Sequence, residues 1–286
     1  MTDDVVKPRP FLKWVGGKTQ LLPELIARIP TTWHRETDIY VEPFVGAGAL
    51  FWELLPKRAC LGDLNAELFV AWLALEKCYF DETLEWLRDA KRDYQENPEA
   101  AYYRWRSLLI QESEVGRQAA RTIFLNKAGF NGLYRVNKNG QFNVPWGKNP
   151  KAEICDVINL RACAAALREI EVSIKLCDFE DWMNIPVGSL VYFDPPYVPL
   201  SKTSNFTSYT KGGFPYKDQL RLAAFAANLR DKGVHVMLSQ AADESLIDQY
   251  RRLGFACDLV SARRNVNSAG SKRGPVGEYI IYGSGK

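Results

Sequence analysis

The chain has 286 residues, of which 47% are hydrophobic, and its formal net charge is only +3. This composition argues against global disorder and has room for one large α/β domain with an insertion, or for two modest domains. No stretch approaches the roughly 18 uninterrupted apolar residues of a membrane-spanning helix, and the charged N-terminus has no apolar segment typical of a secretion signal. We therefore expect a cytoplasmic protein without a membrane partner.

The first chemical feature is the segment 11–18, which reads Phe-Leu-Lys-Trp-Val-Gly-Gly-Lys. A helical pattern follows it, from Leu21 to Ile29. The paired glycines let the backbone pass close to a ligand, and Lys18 can reach an anion there. The spacing does not match a Walker P-loop. By itself the segment is compatible with either an ordinary turn or a binding site.

A strand at 39–41 runs into Gly46-Ala47-Gly48 and then into a helical pattern. Strand, Gly-x-Gly loop and helix form the arrangement that presents backbone amides to a nucleotide-type ligand. A second strand, 58–61, leads to Asp63, where a carboxylate can accept hydrogen bonds from a ribose diol. Together these features favour a cofactor that contains adenosine.

Residues 64–125 change character, because helical patterns dominate there and no convincing strand interrupts them. The predicted helices cover 68–78, 83–94, 101–109 and 117–125. We interpret this region as a helical insertion between the second and third strands of the sheet.

The insertion runs into a basic window, 126–151, which holds five Lys or Arg residues and no acid. The windows 195–217 and 259–276 are also free of acids and hold three and four basic residues, so the rest of the chain is net acidic. Asn-Gly pairs at 131–132 and 139–140 predict turns, the second within a β-hairpin. Arg and Asn side chains read base edges and Lys binds phosphates, which indicates a localised nucleic-acid site.

Strands resume after the insertion. One at 172–176 ends in Asp178-Phe179, and another at 190–193 ends in Asp194-Pro195-Pro196-Tyr197. Two prolines cannot continue a strand, and ligands bind at the carboxyl ends of strands in open α/β sheets. A strand at 234–238 and a terminal hairpin complete an α/β fold with a doubly wound mixed sheet.

In this order, the motifs resemble the family of DNA adenine N6-methyltransferases typified by the GATC-methylating enzymes, the D12 class with an Asp-Pro-Pro-Tyr motif. The carriers are segments 11–18 and 41–48, Asp63 with Asn65, the window 126–147, and segments 194–197 and 205–207. The resemblance implies the S-adenosylmethionine-dependent methyltransferase fold. It also implies a catalytic domain of residues 1–64 and 152–286 that binds S-adenosylmethionine, and a mostly helical target-recognition domain of residues 65–151 that contains a β-hairpin.

The resemblance also assigns residues to the site. The implied catalytic residues are Asp194, Pro195, Pro196 and Tyr197. The implied cofactor-binding residues are Trp14, Lys18, Phe44, Gly46, Gly48, Asp63, Asp178, Phe179 and Asp194. The implied DNA-binding residues are Lys13, Phe130, Asn131, Leu133, Arg135, Asn143, Pro145 and Lys148. Several family members have Arg where this chain has Lys148, so a specific contact at that position is in doubt.

The expected chemistry is direct methyl transfer to adenine N6, whose lone pair is delocalised into the ring. Asp194 and the Pro195 carbonyl would each accept one N6 hydrogen, and Tyr197 would stack on the base. The adenine must leave the duplex to reach such a pocket. Arg135 would read a guanine, Leu133 and Pro145 would contact bases, and Phe130 would fill the gap left by the flipped base.

Two rival interpretations stay open at this stage: an N-methyltransferase acting on rRNA or on a glutamine side chain, and a catalytically silent DNA-binding regulator.

The six cysteines have no Cys-x-x-Cys spacing and only His34 and His235 could assist them, so we expect reduced thiols and no metal. The expected partner is double-stranded DNA, in the cytoplasm of a bacterial or phage-infected bacterial cell. GATC is the leading candidate for the target sequence, and a monomer is the expected state.

Overall fold

The computed structural model describes residues 6–76, 78–182, 184–196, 214–263 and 275–285. Tyr197 and the segment 205–207 of the sequence motifs lie outside the described residues, as does most of the basic window 259–276.

Seven strands form one sheet in the order β3-β2-β1-β4-β5-β7-β6. Their bounds are β1 Ile39–Glu42, β2 Arg58–Asp63, β3 Glu171–Leu176, β4 Leu190–Phe193, β5 His235–Ala241, β6 Ala256–Arg263 and β7 Pro275–Gly283. Neighbouring strands from β3 through β5 pair in parallel, whereas β7 is antiparallel to both β5 and β6. This mixed sheet confirms the predicted fold class, that of the S-adenosylmethionine-dependent methyltransferases.

Helices connect the strands. Within the described residues they are α1 Leu22–Ile26, α2 Ala49–Leu54, α3 Ala66–Glu76, α4 Phe80–Glu96, α5 Pro98–Ser107, α6 Val115–Ala128, α7 Val157–Glu169, α8 Tyr216–Asp231 and α9 Glu244–Arg252. Short 3-10 turns lie at Thr19–Leu21, Phe130–Gly132 and Phe179–Asp181.

Helices α3 to α6 lie between β2 and β3 in the chain, as the sequence predicts for the insertion. Their ends follow local rules. Asn97 ends α4 and caps α5, because its side chain accepts a hydrogen bond from the Ala100 amide at 3.1 Å and Pro98 starts the next helix. The insertion therefore begins and ends its helices with its own sequence signals.

Strand alternation sends side chains to two apolar cores on opposite faces of the sheet. On β4, Leu190 and Tyr192 belong to one core, and Val191 and Phe193 belong to the other. The first core continues into the insertion, where buried residues include Leu84, Leu87, Tyr102 and Phe124. The second core is covered by α8 and α9. All four residues of β4 are buried, which confirms the interpretation of the apolar run as a strand covered on both faces.

The connections leave a crevice between β1 and β4. From β1 the chain continues through α2 to β2, on one side of the sheet order, and from β4 it continues to β5 on the other side. Such a reversal is the point at which open α/β sheets bind ligands, outside the carboxyl ends of their strands. Among the described residues, no helix is both long enough and apolar enough to span a membrane.

Because one core runs from the sheet into the insertion, we expect the chain to unfold in a single thermal transition. Leu87→Ala, which empties a buried position on α4, should lower the stability of the whole chain by about 2–5 kcal/mol. Leu109→Ala is the control, since Leu109 is 91% exposed. Circular dichroism and calorimetry would measure both variants. Two separate transitions, with only one displaced by Leu87→Ala, would contradict a shared core.

Candidate active site and nucleic-acid interface

Asp194 lies directly after β4, at the crevice between β1 and β4. Its Oδ1 atom is 2.6 Å from Nζ of Lys18, which follows the Gly-Gly turn of the N-terminal segment. The same Nζ donates a hydrogen bond to the Gly16 carbonyl at 2.7 Å and lies 3.4 Å from Oε1 of Glu278 on β7. Lys18 is only 4% exposed, so three distant parts of the chain meet around one buried cation.

This cluster perturbs the protonation of its members. Burial raises the pKa of Asp194 to about 6, although the attraction of Lys18 opposes that rise. Burial by itself would lower the pKa of Lys18, but Asp194 and Glu278 outweigh it and raise the pKa above its usual value. Lys18 is therefore a permanent cation at neutral pH, and Asp194 is mainly a carboxylate that accepts a proton in mildly acidic solution.

A second layer of polar groups lies beneath the cluster. The Tyr40 hydroxyl donates to Oε2 of buried Glu42 at 2.8 Å, and the hydroxyls of Tyr192 and Ser239 are 2.8 Å apart. Burial raises the pKa of Glu42 well above its ordinary value, with the negative charge of Asp194 acting in the same direction. The burial of Glu42 and the negative charge of Asp194 therefore both favour the protonated form of Glu42.

The Gly-x-Gly loop follows β1 and packs against the tip of β2. The Gly46 amide donates to Oδ2 of Asp63 at 3.3 Å, and the Asn65 amide donates to Oδ1 at 2.9 Å. Gly46 has φ +48° and Gly48 has φ +66°, values that favour glycine. A Cβ atom on Gly46 would lie 2.9 Å from Cδ1 of Trp14, so the Trp14 ring covers this loop closely. Burial raises the pKa of Asp63 to about 6.

Asp178 and Phe179, the predicted acid-aromatic pair, start a 3-10 turn after β3. Oδ1 of Asp178 accepts hydrogen bonds from the Glu180 amide and from Arg221 on α8. The buried Phe179 ring packs among other aromatic rings, 5.6 Å from the centroid of Phe44 and 6.0 Å from that of Phe214. The structure therefore brings the predicted residues Phe44 and Phe179 together.

The N-terminal segment also contacts the insertion. Asn126 brackets Lys13, because its Oδ1 accepts from the Lys13 amide at 2.7 Å and its Nδ2 donates to the Lys13 carbonyl at 2.9 Å. Gly132 has φ +65°, and a Cβ there would come within 2.2 Å of the Lys13 carbonyl oxygen. The Tyr134 ring stacks on Trp14 with 5.9 Å between centroids. Predicted cofactor and DNA residues are thus neighbours in space.

The basic window forms a turn-rich surface. An antiparallel bridge joins Val136 to Phe142 around the Asn139-Gly140 turn, where Gly140 has φ +78°. The Arg135 guanidinium is held by Asn143, with Nε donating to Oδ1 at 2.7 Å and Nη2 donating to the carbonyl oxygen at 3.2 Å. The remaining predicted DNA-binding residues of this window are partly or fully exposed; they are Phe130, Asn131, Leu133, Pro145 and Lys148.

One charged member of the cluster was not anticipated from the sequence. The sequence predicts Glu278 only as part of the terminal hairpin, yet its side chain reaches Lys18. The available signal was an acid placed between apolar residues of one strand, which is unusual for a strand covered on both faces. Within the described part of the chain, no group of three or more His, Cys, Asp or Glu side chains is arranged to hold a metal ion.

Comparison with known proteins identifies relatives over nearly the whole length. The chain is 38% identical to Type II methyltransferase M1.LlaDCHI of Lactococcus lactis subsp. cremoris, over 97% of this chain and 96% of that protein. It is 38% identical to Type II methyltransferase M.MjaIII of Methanocaldococcus jannaschii, over 93% and 95% of the two chains. It is 31% identical to DNA adenine methylase of Escherichia coli, over 96% and 95%.

These matches decide against the rRNA, glutamine and regulator interpretations that the sequence left open. The family model for D12 class N6 adenine-specific DNA methyltransferase matches residues 14–264, which include the Gly-x-Gly loop, the insertion and Asp194. The chain therefore belongs to the D12 class of N6 adenine-specific DNA methyltransferases.

Proposed function

We propose that this enzyme uses S-adenosylmethionine to methylate N6 of an adenine flipped out of duplex DNA, and that its target sequence is GATC. The observation that carries the proposal is the placement of Asp194 at the carboxyl end of β4, in the crevice between β4 and the strand β1 that leads into the Gly-x-Gly loop. GATC is supported by the resemblance to the GATC-methylating enzymes and by the identity of 31% to a DNA adenine methylase.

The residues around Asp63 suit S-adenosylmethionine. The two Asp63 oxygens accept hydrogen bonds from backbone amides of Gly46 and Asn65, and a carboxylate has further lone pairs for the two hydroxyls of a ribose. Trp14 lies over the glycine loop and offers an aromatic surface. When bound, the cofactor would supply a methyl group on a positively charged sulfonium.

The charges of the site favour a cation. Asp194 and Glu278 flank the single ammonium of Lys18, so the cluster carries one more negative than positive charge when both acids are ionised. A sulfonium would therefore be attracted to this end of the sheet. Lys18 holds Asp194 in place and keeps it ionised to lower pH than burial alone would allow.

The target adenine would bind at the Asp-Pro-Pro turn. Asp194 and the Pro195 carbonyl accept the two N6 hydrogens, which holds the nitrogen toward tetrahedral geometry and aims its lone pair. Tyr197 stacks on the base in this proposal. Positioning is the main source of rate, since well-oriented reactants gain several orders of magnitude, and Asp194 need not be a strong base.

Residues 65–151 would act as the target-recognition domain on the catalytic domain of residues 1–64 and 152–286. Arg135, oriented by Asn143, reads a guanine, and Lys13 makes a further contact to DNA. Leu133 and Pro145 contact bases. Phe130, which is 43% exposed, fills the gap left by the flipped base. Lys148 and Asn131 lie in the same window and would contact the sugar-phosphate backbone of the DNA.

The direct test is methyl transfer to duplexes that contain GATC or each of its single-base substitutions, with N6-methyladenine measured by mass spectrometry. The expected result is transfer from S-adenosylmethionine to the GATC adenine, with a loss at every substituted position. Equal transfer to substituted duplexes would refute the target sequence, and transfer that does not need S-adenosylmethionine would refute the cofactor.

Asp194→Asn should bind DNA and S-adenosylmethionine nearly as well as the wild type and lose methyl transfer by about 100-fold or more, because a transition-state acceptor is removed. Asparagine keeps an oxygen for Lys18, so the buried cation stays partnered. Asp231→Asn, which changes an exposed acid at the end of α8, is the matched control. Binding titrations and single-turnover rates on one preparation would measure both. An active Asp194→Asn enzyme would refute the proposed role.

The rate of methyl transfer should fall as the pH drops through about 6, because the Asp194 carboxylate becomes protonated. A protonated Asp194 can no longer accept hydrogen bonds from both Lys18 and the adenine amino group. Lys18→Met removes the attraction that opposes the raised pKa of Asp194, so this limb of the pH profile should move to higher pH. Asp63 also titrates near pH 6, but Lys18 does not contribute to its shift. A limb that stays in place in Lys18→Met would therefore assign the titration to Asp63 and contradict the prediction.

Arg135→Ala should relax discrimination at one base pair by about 1–3 kcal/mol, the usual value of a bidentate contact to guanine. Binding of S-adenosylmethionine should be unchanged. Lys138→Ala, at an exposed position of the same turn, should leave discrimination as it is. The ratio of kcat/KM for GATC to that for each substituted duplex gives the answer. Unchanged discrimination in Arg135→Ala would show that another residue reads the guanine.

A further inference from the structure

Two glutamines form a hydrogen-bonded chain that ends on the Asp-Pro-Pro turn. Nε2 of Gln219 on α8 donates to the Pro196 carbonyl oxygen at 2.9 Å. Nε2 of Gln240 on β5 donates to Oε1 of Gln219 at 2.9 Å, and Oε1 of Gln240 accepts from the Ala241 amide at 3.1 Å. Gln219 is 0% exposed and Gln240 is 1% exposed. No sequence motif points to either residue.

The direction of this chain is fixed by its two ends. A backbone N–H can only donate and a backbone carbonyl can only accept. The Ala241 amide therefore holds the oxygen of Gln240, which turns its NH₂ group toward Gln219. That group in turn holds the oxygen of Gln219 and directs its NH₂ group to Pro196. Neither side-chain amide can rotate without leaving a buried donor or acceptor unpaired, which is unfavourable.

The turn needs such an anchor from outside. Pro195 and Pro196 have no N–H, so the turn cannot donate backbone hydrogen bonds of its own at these positions. Their rings fix φ near −65°, which leaves ψ as the free backbone angle. The Pro195 carbonyl lies between two fixed points. On one side β4 is paired with β5, and on the other the Pro196 carbonyl accepts the hydrogen bond from Gln219, so the direction of the Pro195 carbonyl is restricted.

We propose that Gln219 and Gln240 are positioning residues for methyl transfer, which hold the Asp194–Pro196 turn so that its acceptors face the adenine amino group. This inference rests on the proposed role of that turn. Neither glutamine touches a substrate. Their two buried side-chain amides connect the turn to the inner strand β5, so that the position of the strand determines the position of the turn.

Replacing both glutamines by apolar residues would leave the Pro196 carbonyl and the Ala241 amide without these partners, so the pair also contributes to stability. What separates a positioning role from a purely structural one is where the pair lies and whether its loss changes the rate. The pair lies at the carboxyl end of β5, next to β4, where the turn begins. A purely structural pair predicts that its loss changes stability and leaves the rate of methyl transfer by folded enzyme unchanged, whereas a positioning pair predicts a loss of rate.

The test uses two substitutions. Gln219→Met keeps the length of the side chain and removes the hydrogen bond to Pro196, whereas Gln240→Glu changes the residue that contacts Gln219 and does not itself contact the turn. In Gln240→Glu the carboxylate can still accept from the Ala241 amide but cannot donate to Gln219. Gln219 is then drawn to donate to residue 240 and presents its oxygen to the Pro196 oxygen. Gln240→Met removes the same link without adding a charge and serves if Gln240→Glu does not fold.

We expect Gln219→Met to lower the single-turnover rate of methyl transfer at least about tenfold, since a displacement on the order of 1 Å at the reacting groups costs rate heavily. KM for DNA and for S-adenosylmethionine should stay within about twofold of the wild type, because binding residues are untouched. The double variant Gln219→Met with Gln240→Met should be no slower than Gln219→Met, because the two act as one chain.

The control is Leu167→Ala, a buried position on α7 that lies outside the site and should lower the melting temperature without a change in rate. Wild-type rates in folded Gln219→Met would overturn the proposal, and so would an equal loss of rate in Leu167→Ala. Additive losses in the double variant would also overturn it. Asp194→Asn is measured in parallel: if that variant is inactive while the glutamine variants are normal, only this inference fails, and if Asp194→Asn is active, the proposed function fails first.

Discussion

The ion pair between Lys18 and Asp194 constrains most of this structure. Both charges are largely removed from water, and a buried charge that loses its partner is strongly destabilising, by about 3–5 kcal/mol. The N-terminal segment must therefore pack against the carboxyl end of β4, although these two parts are far apart in the chain. Glu278 adds β7 to the same point. One buried cation thus fixes the relative positions of three elements at the crevice of the sheet.

The same segment connects the crevice to the insertion. Trp14 covers the glycine loop on one side and stacks with Tyr134 on the other, and Asn126 holds the backbone of Lys13. A displacement of this segment would move the surroundings of Asp194 and the base of the basic window together. The proposed site for the adenine amino group and the proposed base-reading surface therefore share one support.

The proposed function makes two opposite electrostatic demands. DNA favours exposed positive charge, and the sulfonium of the proposed cofactor favours negative charge nearby. Lys138, Lys148 and Lys151 of the window 126–151 are exposed. By contrast, Asp63 and Glu278 lie on strands and Asp194 directly after one, and all three are partly buried. Burial raises the pKa of Asp63 and Asp194 to about 6, which still leaves both acids mostly ionised at neutral pH.

The sequence by itself determined the local features of this protein. The apolar run before Asp194, the Gly-x-Gly loop before α2 and the periodic helices of the insertion follow from short-range patterns, because strands, turns and helices need particular residues at adjacent positions. Motif order then indicated the family. Only the tertiary structure decided that Glu278 reaches Lys18, that Asn143 orients Arg135 and that Gln219 and Gln240 hold the Pro196 carbonyl. The physical reason is that these contacts join side chains from different elements, whose approach depends on the order of strands in the sheet and on the packing of helices over it, and no local pattern records either.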